Sequence, residues 1–341
     1  MATAMDIENL SEVEATSAAP SRIFVEIVGL IGAGKTTLLT KYRENLPHFY
    51  PRSKVVIDLE DEETLTKMIT PLLTIIYKQS PTEEDRCELQ IEAIFASIRL
   101  IGLYAATHTI TSDSIQRYVG ELCQRLELPF LFEEATIGDY EEIHSKLLSV
   151  AQEKVFLPLP GSNAVVCDRG VTDVLIFFIE RMEAYSEDSS IRAIFLKLFD
   201  QVMAEICRLI YGWTGETAPT VDLYEKLSDS PSILYSVYMM DTDPWRCEGR
   251  IEKRARSSEV DQTCGIVLDR VLKVNQRLHE LYGEEVRTRL MGEDAGITSL
   301  LYACGLLNTD GVWNYEKPRF HWKILRNLYR RAHQIYDMES E

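Results

Sequence analysis

The feature that most constrains this chain is a glycine-rich segment near its N-terminus, Gly29-Leu-Ile-Gly-Ala-Gly-Lys-Thr36, which matches the pattern GxxxxGK[ST]. It follows an apolar run at 23–28 that is typical of a buried strand, and helical periodicity then runs over 35–45 and should end before Pro47. Such glycines let the backbone wrap a phosphate group, with several N–H groups pointing inward at a helix N-terminus. We therefore expect a nucleoside-triphosphate site here, in preference to a glycine-rich turn that matches by chance.

The polar residues of this segment have expected roles. Lys35 would reach the outer phosphates, and the Thr36 hydroxyl would ligate Mg²⁺. The candidate nucleotide contacts are Gly29, Gly32, Ala33, Gly34, Lys35, Thr36 and Thr37. The motif predicts a triphosphate ligand but no particular reaction.

Strands and helices alternate along the rest of the chain. Further strands are predicted at 54–58, 163–167, 233–240 and 286–290. This order predicts an α/β fold in which a parallel five-stranded sheet is flanked by helices, within one domain at 23–310. Helical insertions are expected near 108–160 and 187–231.

Polar features follow several of these strands, at or just beyond the carboxyl end: Gly29, Asp58, Asp168 and Asp241. Because ligands of parallel sheets bind outside the carboxyl ends of the strands, these features should converge on one edge. Asp168 would hold Mg²⁺ or its water shell across from Thr36, and Arg169 would stabilise reacting oxygens. A surface ion pair is the alternative interpretation of Asp168 and Arg169.

A group of arginines follows the fourth predicted strand. Arg250 and Arg254 share one helical face, and Arg256 lies just beyond. The whole chain carries 36 basic against 54 acidic residues, a net charge of −18, so this local concentration of positive charge stands out. It suggests a lid over about 246–260 that closes on a triphosphate. A solvated charged helix is the alternative.

Composition argues against several classes of protein. A chain this acidic is not expected to bind nucleic acid stably or to dock on anionic membranes. Its seven cysteines are scattered without CxxC, which favours reduced thiols in the cytoplasm over disulfides or zinc. Residues 1–22 are interpreted as a disordered acidic tail, and no apolar run reaches the ~20 residues that span a bilayer. Residues 311–341 predict a basic amphipathic helix that docks on the body, with nucleic-acid or membrane contact as the alternative.

Taken in order, three segments resemble the deoxyribonucleoside kinase family, which includes the herpesvirus-type thymidine kinases. They are GLIGAGKTT, then CDRG, where the family has an acid–arginine pair, and RIEKRARSSE, which is similar to the family's lid pattern RxxxRxRxxE. The similarity covers roughly half of the chain, at 23–107, 163–182 and 233–305. The stretch 108–160 is longer than expected in a cellular member, which indicates a divergent or viral type.

The resemblance implies a P-loop kinase with an arginine-bearing lid. It would transfer the γ-phosphoryl of ATP, with Mg²⁺, to the 5′-hydroxyl of a deoxyribonucleoside, a pyrimidine such as thymidine or deoxycytidine. It also implies a homodimer in the cytoplasm, or in the host cytosol or nucleus for a viral protein.

Roles of individual residues follow from the same resemblance. Lys35 and Thr36 match the phosphate and magnesium residues, Asp168 the metal-associated acid, and Arg169 its neighbouring arginine. The lid residues that contact ATP and the transferring phosphoryl group match Arg250, Arg254 and Arg256. Glu259 matches the lid carboxylate that reaches the sugar 3′-hydroxyl.

The acceptor side matches the family less closely. Where the family has a glutamate base, usually before proline, this chain has Asp58 before Leu59. We interpret Asp58 as the general base, with Glu60 as the second candidate and an acidic helix start as the alternative role.

Candidate nucleoside contacts lie on predicted helices. Gln90 resembles the glutamine that reads the nucleobase, since an amide both donates and accepts hydrogen bonds. The family's arginine seven residues later is replaced by Ser97, with Arg99 nearby. Tyr77 and Asp173 are further candidates, although an exposed helical tyrosine is the alternative for Tyr77.

Two other functions stay open. A nucleoside monophosphate kinase, such as a thymidylate kinase, shares the phosphate loop and the Asp-Arg strand end. It would need additional positive charge in the acceptor pocket, for which the sequence offers no clear candidate. A non-catalytic P-loop switch or a catalytically dead relative is the other possibility, although the guanine-reading NKxD of a GTPase is absent.

Overall fold

The structure is a computed structural model, and it describes 23–30, 32–49, 55–59, 68–69, 81–108, 110–132, 140–154, 164–184, 189–215, 234–241, 244–254, 290–291 and 322–337. The predictions made for 1–22, for Glu60 and Tyr77, and for the lid beyond Arg254 fall outside these residues.

A parallel sheet lies at the centre of the described part. Its strands are β1 (Ile23–Gly29), β2 (Val55–Asp58), β3 (Ala164–Asp168), β4 (Leu234–Asp241) and β5 (Leu290–Met291). Their order is β2-β3-β1-β4-β5, and each neighbouring pair is parallel. Every residue of β3 is buried, as expected for a strand covered by helices on both faces.

The described helices are α1 (Lys35–Phe49), α2 (Pro81–Thr107), α3 (Ser112–Arg125), α4 (Leu128–Phe132), α5 (Tyr140–Lys154), α6 (Val171–Ala184), α7 (Ser189–Tyr211), α8 (Pro244–Arg254) and α9 (Trp322–Asp337). The predicted end of α1 before Pro47 is wrong, because the helix runs on to Phe49. A proline in the last turn removes one backbone donor, and the helix ends two residues later.

Helix α2 is the central helix of the layer beside the sheet. It packs against α5, α6 and α7, so the helices at 108–160 lie against the core. Contrary to the expectation from the sequence, its segment Cys87–Thr107 is by length and composition apolar enough to span a membrane. However, 78% of the apolar window in this segment is buried inside the fold. Buried core helices can have the same length and apolar composition as a membrane-spanning helix.

The C-terminal helix α9 packs on α6 and α7. Its buried residues follow a helical repeat: Leu325, Leu328, Ala332 and Ile335. Its basic side is held by acidic groups of the body, with Arg331 Nη2 2.6 Å from Glu183 Oε1 and His333 Nε2 2.9 Å from Asp200 Oδ1. Its apolar face therefore covers the core, and part of its charge is paired within the molecule.

Strand order and register position the candidate site. The chain fills one side of β1 with β3 and β2 before it crosses to β4, so the order reverses at β1, where such sheets bind ligands. Ile27 pairs with Asp168, and Asp58 with Cys167. Because neighbouring strands lie about 4.8 Å apart, the carboxyl ends of β1, β3 and β2 form one continuous edge.

Candidate functional site

The turn that follows β1 requires glycine at position 32. Gly32 has φ +82°, a conformation that residues with a side chain rarely adopt. A Cβ atom at this position would lie 2.6 Å from the carbonyl oxygen of Cys247 on α8. Gly32 therefore serves both the turn and the close approach of α8.

Lys35 points back into this turn. Its side chain is buried, and Nζ donates hydrogen bonds to the carbonyl oxygens of Gly29 at 2.8 Å and Leu30 at 3.1 Å. Thr37, one residue beyond Thr36, is exposed. The loop thus holds its own lysine through carbonyl oxygens at its rim.

Thr36 and Asp168 meet across the edge of the sheet, as the sequence suggested. The Thr36 hydroxyl donates a hydrogen bond to Asp168 Oδ2, and Asp168 is buried. The other carboxylate oxygen, Oδ1, is buried without a hydrogen-bond partner in the described part of the chain. An aspartate beside a threonine hydroxyl offers the hard oxygen ligands that Mg²⁺ prefers.

The described residues include no group of three or more histidine, cysteine, aspartate or glutamate side chains that would hold a metal. A magnesium ion does not require such a group, because it is usually bound through one or two carboxylates together with phosphates and water.

A tight turn joins β3 to α6. Arg169 adopts φ +64°, and its backbone N–H donates to the carbonyl oxygen of Ile27 at 3.1 Å. Its side chain pairs with Asp173, with Nε 3.6 Å from Oδ2. Asp173 is buried and is not among the residues that line the adjoining cavity. The turn thus binds Arg169 to both β1 and α6.

A cavity of about 170 Å³ opens beside this turn, at the carboxyl ends of β2 and β3. Its charged lining consists of three acids, Asp58, Glu153 and Asp168, and four bases, Arg43, Arg99, Lys154 and Arg169. The remaining lining is mostly apolar and includes Phe24, Ile57 and Ile98. The cavity therefore joins the metal-binding candidate Asp168 to the candidate base Asp58.

Asp58 forms an ion pair with Lys154, the last residue of α5. The two side chains are only 10% and 14% exposed. Helix α2 adjoins the pair, since a Cβ atom at Gly102 would lie 3.9 Å from Asp58 Oδ2. The stretch at 108–160 thus contributes directly to the surroundings of the candidate base.

Gln90 lies elsewhere. Its side chain is buried, and Nε2 donates to the carbonyl oxygen of Leu131 at 2.8 Å. Along α2 it precedes Gly102 by twelve residues, which is about 18 Å of helix. The structure therefore does not bring Gln90 to the cavity that contains Asp58.

The start of the predicted lid, on α8, contacts the phosphate loop, which is the glycine-rich turn at 29–36. Arg250 Nη1 donates to the carbonyl oxygens of Gly32 at 3.3 Å and Ala33 at 2.8 Å, while Cys247 and Ile251 are buried. The side chain of Arg254, and the whole of Arg256 and Glu259, lie outside the described residues. The first of the three lid arginines is thus in contact with the loop.

Several residues of the site were missed by sequence reasoning. Lys154 carried no signal, because a lysine that ends an amphipathic helix is ordinary. Arg43 likewise carried no signal, because it lies on α1, far along the chain from the other residues of the cavity. The sequence did contain a signal for Glu26, because it is a charged residue within the apolar run of β1, IFVEIVG.

Cys167 also lines the cavity. Burial raises the pKa of its thiol well above the usual range, and the nearby carboxylate of Glu26 raises it further. The thiol is therefore protonated at neutral pH and is not suited to act as a nucleophile.

Comparison with known proteins adds no relative. No family model matches this chain, no curated protein matches it, and no solved structure matches it. The resemblance to deoxyribonucleoside kinases accordingly depends on the three sequence motifs alone.

Proposed function

We propose that this chain is an ATP-dependent kinase that phosphorylates the 5′-hydroxyl of a deoxyribonucleoside, a pyrimidine such as thymidine or deoxycytidine. One observation carries the proposal. A single cavity is lined by Asp168, which binds Thr36 of the phosphate loop, and by Asp58, the candidate base. A phosphoryl donor and an alcohol acceptor bound on these two sides would meet between them.

On the donor side, the loop would bind the triphosphate through its backbone N–H groups. Lys35 and Arg250 now donate to carbonyl oxygens of the loop, and both would exchange these for phosphate oxygens. Mg²⁺, held by Thr36 and Asp168, would neutralise charge on the β- and γ-phosphates. Arg169 would stabilise charge on the equatorial oxygens of the transferring group.

On the acceptor side, the 5′-oxygen forms a bond to the γ-phosphorus while the bond from that phosphorus to the bridging oxygen breaks. Asp58 takes the hydroxyl proton, which requires a carboxylate within hydrogen-bond reach. Lys154 would have to share Asp58 with the hydroxyl. Closure of the arginine-bearing lid would exclude water, which otherwise competes as acceptor.

The test is transfer of radiolabelled phosphate from ATP to a panel of deoxynucleosides and their monophosphates. Labelled thymidine or deoxycytidine product, abolished by Lys35→Ala, supports the proposal. Lys41→Ala is the matched control, because Lys41 is an exposed lysine on the same helix. Absence of labelled product from both the nucleosides and the monophosphates, despite tight ATP binding, would favour a non-catalytic P-loop protein.

One observation favours a second candidate, a nucleoside monophosphate kinase. Four bases line the cavity against three acids, so the lining carries a net positive charge that would favour a substrate phosphate. The same assay separates the two, because this enzyme would label monophosphates and leave nucleosides unlabelled.

A further inference from the structure

Glu26 is a carboxylate in the interior of the sheet. It lies in the middle of β1 and is 0% exposed. Burying a carboxylate is costly unless hydrogen bonds or opposite charges compensate for the lost water. A charge kept at this position, three residues before the phosphate loop, therefore calls for a structural partner.

The partners include the first turn of α6. Glu26 Oε2 accepts a hydrogen bond from the N–H of Thr172 at 3.4 Å, and Oε1 accepts one from the N–H of Asp173 at 3.2 Å. These N–H groups lack acceptors within the helix, and the positive end of the helix dipole also favours a negative charge there.

The turn between β3 and α6 is shaped around this carboxylate. A Cβ atom at Gly170 would lie 2.5 Å from Glu26 Cδ and 2.7 Å from Oε2, so only glycine leaves room. The neighbouring Arg169 is held to the same strand by its N–H bond to Ile27 and takes φ +64°. Strand β1 thus fixes the turn on both sides of Gly170.

We propose that Glu26 is a positioning residue that sets the placement of Asp168 and Arg169 by anchoring the start of α6. The inference rests on the proposed function, since it assigns Asp168 to the metal and Arg169 to the transferring group. Glu26 itself would contact neither the metal nor the transferring phosphoryl group, since it is not among the residues that line the cavity. Its effect passes through the Asp168-Arg169-Gly170 turn, because its carboxylate binds the first turn of α6, where that turn ends.

Two variants disrupt the contact between the Glu26 carboxylate and the start of α6, one by changing Glu26 and the other by changing Gly170. Glu26→Gln keeps the size of the side chain but removes its charge and turns an amide N–H₂ toward backbone donors. Gly170→Ala keeps Glu26 and forces its carboxylate away. Matched controls are Glu205→Gln, a fully buried carboxylate of α7 paired with Arg125 and Arg208, and Gly120→Ala, where an added Cβ meets nothing within 4 Å.

The measurement is ATP affinity by calorimetry on the full chain, with and without Mg²⁺, together with kcat and KM for the nucleoside. We expect both test variants to weaken the Mg²⁺-dependent gain in ATP affinity by about tenfold, the lower end for residues that orient metal ligands. ATP binding without Mg²⁺ should change by less than about threefold, since the phosphate loop is untouched. Melting temperatures of all four variants report folding.

The outcomes separate the two proposals. If Glu26→Gln and Gly170→Ala lower only the melting temperature, as Glu205→Gln should, the positioning role is wrong. If the wild-type chain binds ATP with a Mg²⁺-dependent gain but phosphorylates no nucleoside, the proposed function fails while calorimetry still tests Glu26. A wild-type chain without that gain overturns both.

Discussion

The two sides of the cavity are built in different ways. The donor side comes from neighbouring strands and the loop between β1 and α1, so that Lys35, Thr36 and Asp168 are fixed by backbone that the sheet itself holds. The acceptor side is assembled from three separate elements, with Asp58 on β2, Arg99 on α2 and Lys154 on α5.

This difference has a functional consequence. A change in how α5 packs would alter the surroundings of Asp58 and leave the phosphate loop unaffected, because α5 has no part in the donor side. Under the proposed function, changes in the helices at 108–160 would therefore alter the choice of acceptor more than the binding of ATP. A substitution on one side should therefore leave the properties of the other side nearly unchanged.

The largest effect is expected from Asp58→Asn. Loss of the proton acceptor should lower kcat by about 10²–10⁴-fold, the usual contribution of general acid–base catalysis. ATP affinity, measured by calorimetry, should stay within about threefold of wild type, because Asp58 belongs to the acceptor side. An equal loss in ATP affinity would show that the two sides are not independent.

A smaller effect is expected from Lys154→Met, which removes the ammonium group and keeps an apolar stem. Breaking a mostly buried ion pair leaves the Asp58 carboxylate without this partner, so kcat/KM for the acceptor should fall by about tenfold or more. Lys146→Met on the same helix is the control, since Lys146 pairs with Glu142 on a more exposed face. Similar kinetics for both variants would mean that Lys154 has no role in the site.

Gln90→Ala should change stability more than activity. The variant loses the hydrogen bond to the Leu131 carbonyl oxygen, which is worth about 1 kcal/mol. Denaturant unfolding should report that loss, with KM for the nucleoside within about threefold of wild type. A large rise in KM or an altered base preference would instead support Gln90 as the residue that reads the nucleobase.

The smallest effect concerns pH. Burial raises the pKa of Glu92 on α2 from 4.5 to about 8, against the opposing effect of Arg181, while Glu88, Glu180 and Asp173 raise it further. Because the folded state holds a proton that the unfolded state releases, this group should make the chain less stable as pH rises from 4.5 toward 8.

Glu92→Gln removes that titration. The variant should therefore melt a few degrees higher than wild type at pH 9, with a smaller difference at pH 5. Melting curves across this range test it. A pH profile of melting temperature that is identical in the two proteins would show that Glu92 stays ionised when folded.

The sequence predicted the positions of the strands around the glycine-rich turn well, because these positions depend on local patterns. The limits of β1, β2, β3 and β4 fall within one residue of the positions expected from their apolar runs. A strand, a glycine turn and a helix follow one another without a gap, so the motif defines its own geometry.

The acceptor side depends on contacts between residues far apart in the chain. Lys154 and Asp58 are separated by 96 positions, and no periodicity links them. Gln90 was assigned to the nucleobase by position in a motif, but the packing of α2 against α4 gives its amide another partner. Tertiary packing determines which face of a long core helix meets a ligand. The sequence pattern alone does not contain that information.

The close contact between Gly32 and Cys247 couples the glycine-rich turn to α8. Helix α8 can approach the turn this closely only because residue 32 has no side chain. Any side chain at position 32 would push α8, which carries Arg250, away from the turn. The position of α8 and the shape of the turn are consequently coupled, so a change in the backbone of either one would displace the other.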